Sequence, residues 1–506
     1  MVDVLIAGAG PVGLFLAHSL RQRGLEVVVI EAREGTVFDP RAAVIWPRTA
    51  EVLASRGLGA AFARERRLLE GVELQVKGVR RGTLRLGRLD GPEPQSWIIE
   101  QHRTEAVLRE ALGQPVLERH ALVGLTQDEH GVTAQVRTAR GEERLRARYL
   151  VGCDGARSTV RKALDVAFEG AAHEGLECLQ VNAECAFATP PTPGFCRFDL
   201  SPGATLLTVP LPERGYRFVS FRRARGELTQ PTLEDAQAQL SHIAHEPLRL
   251  RLTEPRWLTS ARFQDRLAAR LRVGRVMLCG DAAAVWAPIG GRGMNVGLLA
   301  AHNLAWKLAA VARHEVDASL LDSYDTELRS MVKRIIATLS WNRMEYPSGA
   351  LALRFIDAAL STASGSVEVP RPIERLLSLY DLDHRPSPAL LSFRGRSAGA
   401  RFPDASFDDG RRAHALLAAN GWTLFGVGCP VAPLAGVTTH EVPTRDASGR
   451  AWLGSRPGLV LVRPDGIIAA QTSATEQPRL AAALQHLLTP GSAQRALPEA
   501  AAFVRR

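Results

Sequence analysis

The sequence predicts an α/β fold with a parallel domain, an antiparallel sheet inserted into that domain, and a small α/β domain at the C-terminus. Three observations support this prediction: a strand–turn–helix–strand pattern at the start, alternating apolar and polar residues between Pro and Gly turns in the middle, and a return to mixed patterns after a proline-containing linker. A chain of 506 residues is also too long for one ordinary core. The predicted domains are 1–172 with 261–385, then 173–260, then 386–506. The sequence also predicts a helix over 234–245, a helix over 411–419, and strands near 422–427 and 458–463.

The start of the chain has the pattern of a unit that grips the diphosphate of a dinucleotide. An apolar strand leads into Gly8, Gly10 and Gly13, and a helix and a second apolar strand follow, the latter ending on Glu31. Gly8 permits a tight turn, Gly10 lets the backbone approach a pyrophosphate, and Gly13 lets helix and strand pack closely. The carboxylate of Glu31 can accept hydrogen bonds from ribose and would repel a 2′-phosphate. The unit is therefore predicted to be Rossmann-like and to favour FAD or NAD over NADP.

Two later motifs place glycine and aspartate directly after a predicted buried strand. One strand ends at Asp154 and Gly155, and another ends at Gly280 and Asp281. A glycine-rich loop follows Gly280 and Asp281, and a helix is predicted from about Met294. The N-terminus of that helix carries a partial positive charge, so it is expected to stabilise negative charge on a bound group.

Composition narrows the class of protein. Hydrophobic residues make up 46% and charged residues 23%, which is typical of a soluble globular chain. The net charge is +10 without a dense basic run, so no nucleic-acid partner is expected. The six cysteines form neither CxxC nor a metal-ligand spacing, and no apolar stretch is long enough to span a bilayer. With no signal-peptide pattern at the start, we expect a cytoplasmic protein without a metal or a membrane partner.

In this order, the three motifs resemble those of the single-component FAD-dependent aromatic hydroxylases, the group of para-hydroxybenzoate and phenol hydroxylases. The greatest likeness is to the branch that hydroxylates aromatic polyketides, and it covers nearly the whole chain, including the segments 319–324 and 461–466. The resemblance implies that the parallel domain holds FAD, that the inserted sheet binds the substrate, and that the last domain is thioredoxin-like. Without CxxC, that last domain is expected to have no dithiol chemistry.

The resemblance also assigns residues to the cofactor. The predicted FAD-binding residues are Gly8, Gly10, Gly13, Glu31, Arg33, Arg41, Gln101, Asp154, Gly155, Arg157, Gly280, Asp281, Met294 and Asn295. The predicted flavin-proximal catalytic loop contains Pro288, Gly290 and Gly291, and no acid or base is assigned to it.

The mechanism implied by this resemblance needs few protein acids or bases. NAD(P)H reduces FAD, O₂ adds at C4a, and the resulting hydroperoxide delivers oxygen to an electron-rich aromatic ring. Only one glycine fingerprint is found, so NAD(P)H is expected to bind transiently. This argues against the two-fingerprint Baeyer–Villiger type. The expected partners are a small aromatic substrate and O₂, with a monomer and a homodimer both open.

The chain departs from the family pattern at three places. Ala284 stands where the family usually has His, Ala300 stands where it has Asp, and residues 469–471 replace the usual AWR. Two alternatives therefore stay open beside hydroxylation. The first is a related flavoenzyme that performs oxidative ring cleavage, dehydrogenation or antibiotic inactivation, and the second is a flavin-binding protein with impaired turnover.

Five aromatic residues in or near the inserted sheet have two candidate roles. They line a hydrophobic pocket, or they pack in the core, which is the commoner role for such side chains. These residues are Phe195, Phe198, Phe218, Phe221 and Trp286.

Overall fold

The structure is a computed structural model, and its described residues form two compact units. The described residues are 1–35, 41–87, 89, 91–224, 227–245, 250–341, 366–368, 371–391, 398–407, 409–442 and 457–489. The first unit comprises Met1–His18, Val27–Ala301 and Met331–Leu382. The second comprises Ser19–Glu26, His302–Ser330 and Asp383–Arg506. The division into three domains stays a prediction.

The described residues form a mixed set of strands and helices. The strands are β1 Val2–Ala7, β2 Val27–Ile30, β3 Val44–Ile45, β4 Arg67–Leu69, β5 Gly71–Val76, β6 Val79–Arg85, β7 Ser96–Ile98, β8 Ala121–Gln127, β9 Val132–Thr138, β10 Gly141–Gly152, β11 Phe168–Ala186, β12 Phe195–Ser201, β13 Ala204–Pro210, β14 Tyr216–Arg223, β15 Arg251–Ala268, β16 Arg272–Val273, β17 Val276–Leu278, β18 Ala284–Val285, β19 Ser366–Glu368, β20 Trp422–Val427, β21 Val437–Val442, β22 Gly458–Val462 and β23 Ile468–Thr472. The α-helices are α1 Pro11–Arg21, α2 Pro47–Ser55, α3 Gly59–Glu65, α4 Gln101–Leu112, α5 Thr159–Ala163, α6 Leu233–Ala244, α7 Gly293–Ala312, α8 Asp322–Trp341, α9 Arg371–Leu377 and α10 Gln477–Leu488.

A seven-stranded sheet forms the predicted Rossmann-like core. Strands β2, β1, β10 and β17 lie side by side and are parallel. Their ends are almost entirely apolar and buried, as expected where both faces of a parallel sheet are covered. Ala7 lies opposite both Ile30 and Gly152, and Gly152 lies opposite Leu278, so the four strands end at one level.

A nine-stranded sheet contains the predicted antiparallel insertion. Its order is β18-β15-β11-β14-β13-β12-β5-β6-β19. The strands β11 to β15 pair antiparallel, as their alternating sequences predict. The sheet extends beyond the segment 173–260, because β11 and β15 continue pairing out to Phe168 and Ala268. It also recruits β5, which pairs in parallel with β12.

The two faces of this sheet have different surroundings. Helix α6, which confirms the helix predicted over 234–245, covers one face with Leu240 and Ile243. Phe218 and Val181 are fully buried in that core, so packing is the role of Phe218. On the opposite face, Gln180 is only half-buried.

The second unit contains a four-stranded sheet in the order β21-β20-β22-β23. Strands β20 and β22 confirm those predicted near 422–427 and 458–463. The helix predicted over 411–419 is wrong, because only a 3₁₀ turn, Ala413–Leu416, forms there. The backbone N–H groups of Ala415 and Leu417 donate to carbonyls only three residues back, and Ala418 N donates to Thr423 Oγ1 at 2.9 Å, so no α-helical ladder continues through the segment. The thioredoxin-like assignment stays a prediction.

A cluster of buried charges joins the helices and the sheet of this second unit. The carboxylate of Glu327 accepts from Lys307 Nζ at 2.9 Å and from Arg463 at 2.7 Å, and it contacts His384 Nδ1 at 3.0 Å. Asp465 accepts from Arg463 Nε at 3.0 Å. Burial lowers the pKa of Lys307 to about 8. Burial alone would raise the pKa of Glu327, but Arg463 and Lys307 outweigh it and hold that pKa well below its ordinary value.

We expect Glu327→Ala to lower the free energy of unfolding of the full chain by about 3–5 kcal/mol, because buried Lys307 loses its carboxylate partner and buried Arg463 loses one of its two. Urea denaturation measures this loss. The control is Glu315→Ala, which removes a surface pair with Arg313 and should cost less than about 1 kcal/mol. Equal losses in the two variants would contradict the structural role of the buried cluster.

Candidate functional site

The level ends of the four parallel strands bring the three sequence motifs to one edge of the sheet. Each motif begins directly after a strand end, and the carboxyl edge of such a sheet is where ligands bind. Backbone hydrogen bonds continue past the strand ends: Gly8 N donates to Ile30 O at 2.8 Å, Cys153 N to Ala7 O at 2.7 Å, and Cys279 N to Gly152 O at 2.9 Å.

The first glycine cluster contains two packing positions and one open position. Gly8 has a φ of +107°, and a Cβ there would lie 2.3 Å from Cys153 O. A Cβ on Gly13 would lie 2.0 Å from Gly8 O. A Cβ on Gly10 would meet no atom within 4 Å. Gly8 and Gly13 are therefore required by the fold, whereas Gly10 keeps open a space that a bound group can enter.

The starts of two helices pack together beside this space. Helix α1 begins with Pro11, and Leu14 N donates to Gly10 O at 3.0 Å, so the earlier N–H groups of the turn have no helical acceptor. A Cβ on Gly297 of α7 would lie 2.7 Å from Val12 Cγ2. These glycine contacts join the first and third motifs and give the site a helix N-terminus suited to an anion.

Glu31 is held in place by the turn that it follows. Its carboxylate accepts from Ala9 N at 2.9 Å, from Arg33 N at 3.1 Å and from Arg33 Nε at 3.0 Å. Burial alone would raise the pKa of Glu31, but these three donors outweigh it, and the pKa is lowered. The carboxylate is therefore ionised at neutral pH and retains lone pairs for the hydroxyls of a ribose.

The two aspartates of the later motifs have different surroundings. Asp154 Oδ2 accepts from Val160 N at 3.0 Å, while its buried Oδ1 has no hydrogen-bond partner among the described residues. Desolvation by the surrounding protein raises the pKa of Asp281, and nearby Arg41 opposes this shift, although the Asp281 side chain still contacts solvent. Gly155 has a φ of +81° and open space beside it, and Arg157 is exposed.

Gln101 starts helix α4 and holds the segment that contains Arg41. Its Oε1 accepts from Ala42 N at 3.3 Å, and its Nε2 donates to Glu105 at 3.0 Å. The carbonyl of Arg41 accepts from Arg217 of the nine-stranded sheet at 3.0 Å. The amide of Gln101 therefore positions this segment beside the site.

The glycine-rich loop after Pro288 is held by two buried side chains. Gly290 and Gly291 have φ values of +70° and +59°, which favour glycine. Trp46 Nε1 donates to Gly290 O at 2.8 Å, and Trp46 N donates to Asn295 Oδ1 at 2.9 Å. Asn295 Nδ2 donates to Gly291 O and to a carbonyl of β3, both at 2.9 Å. The Asn295 amide thus supports the loop. Sequence reasoning missed Trp46, whose one visible signal is its place directly before a helix-starting proline.

Comparisons with known proteins agree with this geometry. A family model described as an FAD binding domain matches residues 1–338. A 12-dehydrotetracycline 5-monooxygenase/anhydrotetracycline 6-monooxygenase of Streptomyces rimosus is 34% identical over 493 residues, which are 92% of this chain and 94% of the relative. A rifampicin monooxygenase of Streptomyces venezuelae is 38% identical over 350 residues, 66% of this chain and 70% of the relative. The chain belongs to the family of FAD-dependent aromatic hydroxylases.

A solved structure extends the likeness along the chain. The anhydrotetracycline hydroxylase of Streptomyces rimosus superposes with a TM-score of 0.78 at 29% identity, covering 97% of this chain and 99% of that one. The enzyme is thus an FAD-dependent monooxygenase with the predicted α/β fold class.

The residues of the site fit FAD. The space beside Gly10 and the helix N-terminus suit its diphosphate, the ionised Glu31 suits its ribose, and the unpartnered Asp154 Oδ1 can accept a ligand hydrogen bond. In the described part of the chain, no group of three or more His, Cys, Asp or Glu side chains is arranged to hold a metal ion. None of the described helices is long and apolar enough to cross a membrane.

The family departures lie at buried positions. Ala284 lies on β18 opposite Leu267 and is only 6% exposed, and Ala300 is buried in helix α7. Small side chains therefore occupy buried positions at both departures.

We expect Gly10→Ala to lower the flavin-to-protein ratio sharply without a loss of apoprotein stability, because its methyl group enters the space for the pyrophosphate. Gly13→Ala is the matched comparison, since its methyl group meets the backbone of Gly8 and should destabilise the fold itself. Flavin absorbance and urea denaturation of both purified variants measure the two effects. Normal flavin loading of Gly10→Ala would contradict the assigned diphosphate position.

We expect Glu31 to stabilise the flavin-free protein in a pH-dependent way. Because its folded pKa is lowered, this stabilisation is present above its unfolded pKa of about 4.3 and is lost as pH falls through the lower folded value. The stability difference between wild type and Glu31→Gln should therefore shrink on acidification. Urea denaturation at a series of pH values measures it, and a constant difference would contradict the electrostatic role.

Proposed function

We propose that the enzyme uses NAD(P)H and O₂ to hydroxylate a phenolic or polyketide-type aromatic substrate. The observation that supports this proposal most directly is that the nine-stranded sheet leads straight into the flavin-proximal loop. Strand β18 pairs with β15 at Leu267 and Ala284, and the loop that starts at Pro288 follows within a few residues. A substrate resting on the face of the sheet away from α6 would thus lie beside the loop.

The face of the sheet away from α6 has a composition suited to an aromatic ring system. Gln180 lies between Val219 on one side and Thr259 on the other, and all three side chains are half-buried. The rings of Phe221 and Phe263 lie 5.9 Å apart farther along this face. Apolar walls with a few polar groups are typical of sites for planar ligands.

The chain supplies binding and charge stabilisation for the reaction. When bound, FAD supplies the activation of O₂ and the transfer of one oxygen atom. The start of α7 at Gly293 and the loop at Gly290 and Gly291 present backbone dipoles that stabilise negative charge beside them. The presence of only one glycine fingerprint supports a transient visit by NAD(P)H.

The relatives support the substrate class. The two relatives are named as monooxygenases of tetracycline-type compounds and of rifampicin, which favours an aromatic, polyketide-type ligand. The rifampicin relative also favours a second candidate function, the oxidation of an antibiotic by the same chemistry. The free cysteines support placement in the reducing cytoplasm, and we retain a monomer or a homodimer as the assembly.

We expect the flavin-loaded protein to oxidise NADH or NADPH faster when a suitable aromatic compound is present, with uptake of O₂ and a product heavier by one oxygen. Anhydrotetracycline, rifampicin and simple phenols are the probes, and mass spectrometry identifies the product. The Gly10→Ala variant is the flavin-poor control. Flavin that neither nicotinamide reduces would overturn the proposal, and a cleaved or dehydrogenated product would favour the alternatives.

A further inference from the structure

A histidine–aspartate pair lies on the face of the nine-stranded sheet away from α6. His173 Nε2 and Asp265 Oδ2 are 2.5 Å apart. His173 lies opposite Phe263, and Asp265 lies opposite Ala171 on the neighbouring strand. Because directly opposed residues share a face, the pair projects to the same side as Phe263. That is the side on which the substrate is proposed to rest.

Asp265 also contacts the segment that leads into the flavin-proximal loop. Its Oδ1 accepts from Ala287 N at 3.2 Å, and Ala287 directly precedes Pro288. Strand β18 joins this edge of the sheet through Arg266 and Val285. One carboxylate therefore connects His173 to the loop of the site.

The hydrogen bond to Asp265 determines which nitrogen of His173 carries the proton in the neutral ring. A carboxylate only accepts, so Nε2 carries the hydrogen and Nδ1 retains its lone pair. Among the described residues, no hydrogen-bond partner contacts His173 Nδ1, and the side chain is 25% exposed. This is the arrangement of a histidine prepared to accept a proton from a ligand.

Few charges compete with Asp265 around His173. Glu169 lies on the same face of β11, opposite Leu267. Arg262 and Arg266 alternate to the other face of β15, where Arg266 donates to Phe168 O. The segment 284–291 contains no titratable side chain. Arg292 follows that segment and is buried.

We propose that His173 accepts the proton of a substrate phenol and that Asp265 is its positioning residue. The phenol O–H bond breaks, the electron pair stays on the oxygen, and the proton moves to Nδ1. Asp265 stabilises the imidazolium that forms. The phenolate ring is richer in electrons and reacts more readily with an electrophilic oxygen. This assignment rests on the proposed function, because it requires a phenolic ligand.

The variant Asp265→Asn tests the pair with little change in shape. The Asn oxygen can still accept from Ala287 N, whereas its amide N–H donates to His173 Nε2 and forces the ring proton onto Nδ1. We expect the single-turnover rate of hydroxylation to fall by about 10²–10³-fold, in the range of general-base effects. Flavin content and the rate of flavin reduction should stay unchanged. The rate should recover as the pH rises toward the pKa of the substrate phenol.

His173→Gln should show the same loss and the same recovery at high pH. The control is His242→Gln, an exposed position on α6 at the other face of the sheet, which should behave as wild type. If both test variants keep the wild-type rate and pH profile, the proposal is overturned. If Asp265→Asn disturbs flavin loading and His173→Gln does not, the hydroxylation rate and pH profile of His173→Gln decide whether the proposal holds.

A binding measurement separates this proposal from the proposed function. Nitrophenol is titrated by absorbance in the presence of oxidised, flavin-loaded protein, without NAD(P)H. We expect the pKa of the bound probe to be lower in wild type than in His173→Gln, even if no oxygenation follows. A probe that does not bind, or whose pKa is equal in both proteins, overturns the role of His173.

Discussion

The site depends on the common level at which four parallel strands end. Backbone hydrogen bonds that continue past these ends align Gly8, Cys153 and Cys279 across the sheet. This register places motifs separated by more than a hundred residues along one edge, and it leaves no room for a Cβ at Gly8 or Gly13. The glycines of the fingerprint are thus of two kinds, because two satisfy the packing of the protein and Gly10 alone leaves space for a ligand.

Hydrogen bonds from two parts of the first unit hold the flavin-proximal loop. Trp46, directly after β3, and Asn295, on α7, donate to its carbonyl groups, and Asp265 of the nine-stranded sheet accepts from the segment before it. Two glycines in the left-handed region give the loop its shape, and these contacts hold that shape. The backbone of the loop therefore presents its dipoles in fixed positions.

The two segments of the second unit that resemble the family, 319–324 and 461–466, have a structural role. The segment 461–466 contributes Arg463 and Asp465 to the buried cluster, and helix α8, which begins within 319–324, contributes Glu327. Charges buried in this way require their partners, because an unpaired ion in the interior is costly. These two segments, far apart in the sequence, therefore meet in the interior of the second unit.

The sequence by itself determined the features that depend on short stretches of backbone. These include the parallel α/β class, the three glycine-containing motifs, the acid at Glu31 and helix α6, because local sterics and periodicity encode each of them. The tertiary structure decided which distant residues meet. Trp46 and Gly290 are 244 positions apart, and His173 and Asp265 are 92 apart. Such contacts depend on strand register and on the recruitment of β5 and β18 into the large sheet, which no local pattern of a single sequence specifies.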